Sequence, residues 1–276
     1  MRIGFAFNPT SSEAGDVLER ALAWCTANGV EAWHTPAEDR AALRAGCPES
    51  DVVCVLGGDG TFLRTAGVIG DSGVPALGVN LGRVGFLSKV EPDGLERALD
   101  QLAAGDYAIE ERFRISATLL GASGERESHS CLNEVVVARG GRVRMIQVEV
   151  DVSGSHLATY VADGVVVATP TGSTAYSFSA GGAILDPRLR NMIITPVAAY
   201  LTSLHSVVAG EEHVVTLTLR HASGAVVSVD GQWDHPIADG DRVEVRALPT
   251  PLRLVEPTGS TPFYDLLRTK ASRLPY

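Results

Sequence analysis

The sequence predicts two domains, an α/β N-terminal domain with a parallel sheet and a β-rich C-terminal domain. Three observations carry this. The chain has 276 residues, which suits two domains of roughly 100–200 residues each. Up to about residue 105, strand-like and helix-like runs alternate, as in a parallel sheet with flanking helices. Beyond about residue 110 the pattern turns to apolar–polar alternation of period two, the mark of antiparallel sheets packed on one face. We set the boundaries at 1–105 and 106–255, with a tail, 256–276, returning to the first domain.

The elements follow in order. Ile3 to Phe7 reads as a buried strand ending at Asn8-Pro9. Val17, Leu18, Ala21, Leu22 and Cys25 recur at helical spacing within 13–27. Val30 to Trp33 reads as a short strand. Val52-Val53-Cys54-Val55-Leu56 is a continuous β-branched run, as expected of a strand covered on both faces. Thr61 to Val68 reads as a helix, Pro75 to Val79 as a strand and 93–104 as an amphipathic helix. Later, Ile146, Val148 and Val150 alternate with Gln147, Glu149 and Asp151. Val215, Leu217 and Leu219 do the same with threonines, and Val243 and Val245 with Glu244 and Arg246. Gly121-Ala122-Ser123-Gly124 and Ser153-Gly154-Ser155 mark turns, and Phe263 to Ser272 is helix-like.

Composition excludes several functions. The net charge of −10 disfavours a nucleic-acid footprint, which needs clustered Lys and Arg. Cys25, Cys47, Cys54 and Cys131 form no CxxC, so a disulfide scaffold or zinc cluster is not expected and a reducing compartment is. With no apolar run of the ~18 residues that a membrane helix needs, we expect no membrane span, no signal peptide and a cytoplasmic protein.

Three segments are candidates for chemistry. The first is Gly57-Gly58-Asp59-Gly60-Thr61, after a buried strand and before a helix. Glycines there admit a ligand to the backbone, and amides at a helix start favour phosphate. Asp59 would repel phosphate unless a metal intervenes or it serves as a base. The competing reading is a plain turn with Asp59 as N-cap. The second is Asn80-Leu81-Gly82-Arg83-Val84-Gly85-Phe86-Leu87, where Phe86 is either a core residue or a lid over a ligand ring. The third is 163–182, DGVVVATPTGSTAYSFSAGG, a buried strand running into a loop dense in hydroxyls, with Tyr176 offering a stacking face. Its competing reading is a Ser/Thr-rich surface loop.

Together with Asn133-Glu134-Val135-Val136-Val137, these segments resemble bacterial NAD kinase from about residue 50 to 235. GGDG alone is shared with a wider superfamily of lipid kinases and phosphofructokinases. TPTGSTAY with the upstream Asn-Glu pair is far more specific. The resemblance implies a two-domain NAD kinase-like fold with the active site between the domains, and a homodimer or homotetramer. It implies transfer of the terminal phosphoryl of ATP to the 2′-hydroxyl of the adenosine ribose of NAD, with Mg²⁺ or another divalent cation. Its protein ligands are not given by the sequence. Asp59 resembles the general base, and Gly57, Gly58, Gly60 and Thr61 the phosphate loop. Asn133 and Glu134 resemble the pair holding ribose hydroxyls and metal-linked phosphates. Thr174, Ala175 and Tyr176 resemble the adenine pocket, with Phe86 and Ser179 nearby. Asp163 resembles the acid reaching the nicotinamide end from a neighbouring subunit.

One segment departs from the family. After Thr195-Pro196 the usual proline, histidine and arginine positions hold Ala199, Tyr200 and His205, within 197–206. A lost arginine weakens phosphate recognition. The alternative is therefore a kinase of the same fold acting on a nucleoside, sugar or polyol. A non-catalytic dinucleotide sensor fits less well, because a sensor has no use for a base.

Overall fold

The computed structural model describes residues 1–271 apart from 83–84, 122–123, 125, 142–143 and 222–223. Arg83 and Val84 of the second candidate segment, and Ala122, Ser123 and Ser272, therefore lie outside the described residues. The chain divides into two compact units, 1–111 with the segment from Thr250 onward, and 112–249.

The first unit begins with β1 (Arg2–Phe7), α1 (Ser12–Asn28), β2 (Glu31–Pro36), α2 (Arg40–Gly46), β3 (Val52–Gly57), α3 (Asp59–Ser72), β4 (Ala76–Asn80), α4 (Leu95–Ala104) and β5 (Tyr107–Arg112). In the second unit follow β6 (Ile115–Leu120), β7 (Arg126–Cys131), β8 (Glu134–Arg139), β9 (Ile146–Val152), β10 (Ser155–Ala162), β11 (Gly164–Ala168), the one-turn helix α5 (Tyr176–Ser179) and β12 (Asn191–Val197). It ends with β13 (Val207–Gly210), β14 (Val215–Arg220), β15 (Ala225–Val229), β16 (Trp233–Ile237) and β17 (Arg242–Ala247). The chain then re-enters the first unit with β18 (Leu252–Pro257) and α6 (Phe263–Ala271).

In the first unit the strand order is β2-β1-β3-β4-β18-β5. β1 lies parallel to β2 and β3, and β4 parallel to β3 and β18. β3 is buried at every position, as its β-branched run requires. Val52, Cys54 and Leu56 face a core shared with Val17, Leu18 and Ala21 of α1 and Leu95, Leu99 and Leu102 of α4. Val53 and Val55 face the other way, where α3 packs over β3. Glycine in the left-handed region ends α1 at Gly29, α3 at Gly73 and α4 at Gly105. Since β5 and β18 belong to this sheet, the unit boundaries fall at 111/112 and 249/250 rather than at 105/106 and 255/256.

The second unit is two six-stranded sheets, β10-β9-β14-β17-β6-β7 and β13-β12-β11-β8-β15-β16. Every registered pair in them is antiparallel. Alternating residues meet between them: Val148 and Val150, Leu217 and Leu219, Val243 and Val245 face Val135, Val137, Val165 and Val167. On the reverse of the second sheet Val166, Ala168 and Ile193 form a smaller cluster under Leu185. β11 is thus covered on both faces, and it delivers the chain at Thr169 to the hydroxyl-rich segment.

Candidate functional site

In the first unit, GGDGT meets the described residues of the 80–87 segment. The cap of α3 is Gly58, so Asp59 is the first helical residue and not the N-cap. This frees its carboxylate to point sideways. It accepts from the backbone N–H of Phe86 at 2.8 Å and of Leu87 at 3.3 Å. The two loops meet at glycines: a Cβ on Gly82 would lie 3.2 Å from Gly58 Cα. Asn80 supports the second loop by accepting from Gly82 N–H at 3.2 Å. Phe86 is half-buried, its ring 6.2 Å from that of Phe263 on α6. It is not a full core residue, and its amide holds Asp59. Thr61 is buried, its N–H donating to Gly58 O at 2.9 Å. Gly60 is exposed and a Cβ there would meet nothing.

In the second unit, Asn133 and Glu134 sit where β7 passes into β8. Their backbone is held from two sides. Asp230, in the turn joining β15 to β16, accepts from the N–H of Leu132, Asn133 and Glu134 at 2.7, 2.8 and 3.0 Å. Thr169 at the end of β11 donates its hydroxyl to Leu132 O and its N–H to Asn133 O. Gly172 packs so closely that a Cβ would lie 2.2 Å from Asn133 O. The backbone being satisfied, the side chains are left over: Asn133 Oδ1 and Glu134 Oε2 are buried without partners. Burial, then the charge of Asp230, pushes the Glu134 carboxyl up to about 8. Burial also raises Asp230, against the four hydrogen bonds that favour its charge.

The hydroxyl-rich segment divides by side. Thr169, Thr171, Ser173 and Ser177 are buried. Ser173 donates to Pro170 O and accepts from Leu185 N–H, and Ser177 is bonded to Thr195. These hydroxyls build the loop, which is why it is no solvated tip. Tyr176 and Ser179 face outward, with Thr174 and Ala175 half-buried beside them. Asp163, just before β11, is ion-paired to Arg139 at 2.6 Å. The structure thus groups Asp59 with Phe86 and the glycine loop in one unit. It groups Asn133 and Glu134 with the 169–179 segment in the other.

Sequence reasoning missed Asp230 and Thr169. The Asp-Gly pair between two alternating runs signals a hairpin turn. Nothing local signals that its carboxylate turns back to cap residues about a hundred positions earlier.

Family models match almost the whole chain: the ATP-NAD kinase N-terminal domain over 4–107 and the ATP-NAD kinase C-terminal domain over 132–263. The NAD kinase of Heliobacterium modesticaldum is 40% identical over 97% of this chain and 97% of its own. The chain belongs to the NAD kinase family. The NAD kinase fold is also evident in two solved structures. Yeast NADH kinase complexed with NADH superposes with a TM-score of 0.84 at 20% identity, covering 99% of this chain and 87% of that one. An NAD kinase from Archaeoglobus fulgidus in complex with ATP gives 0.81 at 24% identity, covering all of both chains.

Segment 197–206 of this NAD kinase has an irregular backbone. Ala198 and Leu201 both take left-handed φ, 48° and 46°. Next to them is a cavity of about 350 Å³ whose lining includes Ala180, Pro196, Ala199, Thr202, His205 and Ser206. Tyr200 is exposed.

Glu134 should make stability depend on pH. Its folded value lies above the ordinary 4.5, so its proton stabilises the fold fully below about 4.5. That contribution is lost as pH rises through about 8. Each unit of displacement is about 1.4 kcal/mol. Glu134→Gln, which keeps the neutral shape, should therefore flatten the fall between pH 5 and 8.5 by on the order of 2–4 kcal/mol. Denaturant midpoints measured across that range check this, and an unchanged slope contradicts it.

Proposed function

We infer that this chain transfers the terminal phosphoryl of ATP to the 2′-hydroxyl of the adenosine ribose of NAD, giving NADP. The observation that carries the reading is the pair of buried, partnerless oxygens Asn133 Oδ1 and Glu134 Oε2, in a chain-long match to NAD kinases. Two such acceptors ask for donors from outside the chain, and sugar hydroxyls supply them. The curated relatives favour NAD over a nucleoside, sugar or polyol acceptor.

Phosphoryl transfer asks chiefly for positioning and charge neutralisation. Asp59 takes the proton of the 2′-hydroxyl. That oxygen bonds to the γ-phosphorus, the bond from phosphorus to the β–γ bridging oxygen breaks, and ADP leaves. The amides of Phe86 and Leu87 hold the Asp59 carboxylate in one orientation. Gly57, Gly58, Gly60 and Thr61 form the phosphate loop. Among the described residues no neighbour demands glycine at Gly60, which fits a ligand passing over it. Asn133 and Glu134 hold the ribose. Thr174, Ala175 and Tyr176, with Phe86 and Ser179, receive the adenine, and Asp163 of a neighbouring subunit reaches the nicotinamide end.

The family also implies Mg²⁺ or a similar cation. The donors fit: Asn133 Oδ1 and a Glu134 carboxyl that would give up its proton to the cation's charge are hard oxygens, the ligands Mg²⁺ prefers, and these two residues would hold it through the phosphates. When bound it supplies charge neutralisation at the transferred group.

We place the enzyme in the cytoplasm. Its four cysteines are free and buried, and among the described residues no helix is long and apolar enough to cross a membrane. The net charge of −10 favours no nucleic-acid partner. Exposed Tyr200, Leu201 and Val208 around the edge strand β13 support a homodimer or homotetramer.

The test is an assay with ATP and Mg²⁺ against NAD, adenosine, other nucleosides, sugars and polyols. NADP should be the main product. Phosphorylation of a smaller compound without NADP overturns the reading. Asp59→Asn should stay folded and lose at least about a hundredfold in turnover, the scale of a lost general base. Near-normal turnover in that variant removes Asp59 from the mechanism. Excess chelator should abolish activity, Mg²⁺ or Mn²⁺ should restore it, and the thermal midpoint should hardly move; activity surviving exhaustive chelation contradicts the cation's role.

A further inference from the structure

We propose that Asp230 is a positioning residue for the reaction, its carboxylate fixing the turn 131–134 that carries Asn133 and Glu134. This rests on the reading of that pair as the ribose-holding residues.

The carboxylate gathers four donors. Oδ2 accepts from Leu132 N–H at 2.7 Å. Oδ1 accepts from Asn133 N–H at 2.8 Å, Glu134 N–H at 3.0 Å and the Cys131 thiol at 3.0 Å. Three successive amides converging on one anion make a built nest. An ionised carboxylate offers about four lone-pair sites, and these four donors, three on Oδ1 and one on Oδ2, spend most of that capacity on the turn itself. Asp230 therefore acts through its neighbours. Its own N–H donates back to Glu134 O at 3.0 Å, so one residue grips the turn through side chain and backbone.

A turn residue at φ 52° does not of itself require a charge. Asparagine also tolerates left-handed φ and suits turns. Asparagine, however, has one oxygen and would present an amide N–H₂ to N–H donors. The carboxylate here is withdrawn from water, which raises its pKa against the bonds of its four donors, and burial together with the charge of Asp230 raises that of Glu134. That arrangement is unfavourable unless the four donors need an anion. Thr169 holds the same turn from the other side, its hydroxyl on Leu132 O and its N–H on Asn133 O. Every backbone bond named here orients the two side chains left without partners.

The experiment uses the full chain. Asp230→Asn, Thr169→Val and Cys131→Ser are compared with wild type in steady-state kinetics with NAD varied, and in calorimetric NAD binding without ATP. Asp230→Asn should cut kcat/KM for NAD by about a hundredfold, the scale of a misplaced binding group, with a raised KM and weaker NAD binding. Thr169→Val should move the same quantities the same way by a smaller factor. Cys131→Ser keeps a donor and should stay near wild type. A purely structural role lowers the active fraction, and so kcat, at unchanged KM and NAD affinity; that result overturns the proposal. A folded Asp230→Asn with normal constants overturns it too. If Asp230→Asn does not fold, Thr169→Val decides, and normal constants there count against it. A wild type that makes no NADP counts instead against the proposed reaction, leaving the binding comparison to judge Asp230.

Discussion

The second unit turns on backbone satisfaction at residues 131–134. A buried amide or carbonyl without a partner is costly, so a turn at this depth needs fixed partners. Asp230 supplies the acceptor for three amides and Thr169 takes two carbonyls. Those partners dictate much else. β15 and β16 must be joined by a turn that aims Asp230 at β8, and β11 must end with Thr169 beside it. Gly172 must lack a side chain, because the turn already fills that space. What remains unbonded is two side-chain oxygens, the polar groups a ligand can claim.

The first unit solves a related problem differently. There the constraint is close approach of two loops, met by Gly58 against Gly82. Moving the helix cap to Gly58 sends the Asp59 carboxylate toward Phe86 and Leu87 rather than back onto its own helix. A carboxylate spent on capping would be anchored to α3; this one is anchored to the neighbouring loop. Both units thus orient acids with backbone amides, which have no rotamers to lose.

Fold class was legible because the signals are dense. The run at 52–56 permits only a covered strand, and alternation at 146–150, 215–219 and 243–245 permits only half-buried ones. The sheet membership of β5 and β18 was not legible, since pairing partners lie some 150 residues apart and no local pattern records them. Within the candidate site, the 163–182 segment stood out by composition. Its internal division did not: Ser173 and Ser177 look like Thr174 and Ser179 in sequence, and only packing makes the first two structural. Phe86 stood out for its ring, while the structure uses its N–H, a group every residue but proline possesses. Asp230 was invisible for the converse reason, an ordinary turn residue whose partners are remote in sequence.

Burial of Cys25, Cys47, Cys54 and Cys131 has a practical consequence. All four thiols have their pKa raised by loss of solvent, so little thiolate exists near neutrality and none is offered at the surface. Alkylating reagents should therefore label the native chain only slowly. A single cysteine placed on an exposed strand position, such as Ser155, becomes a unique attachment point for a fluorophore or spin label. Distances and motions can then be read in the otherwise unaltered molecule, with no need to strip out the native sulfurs first.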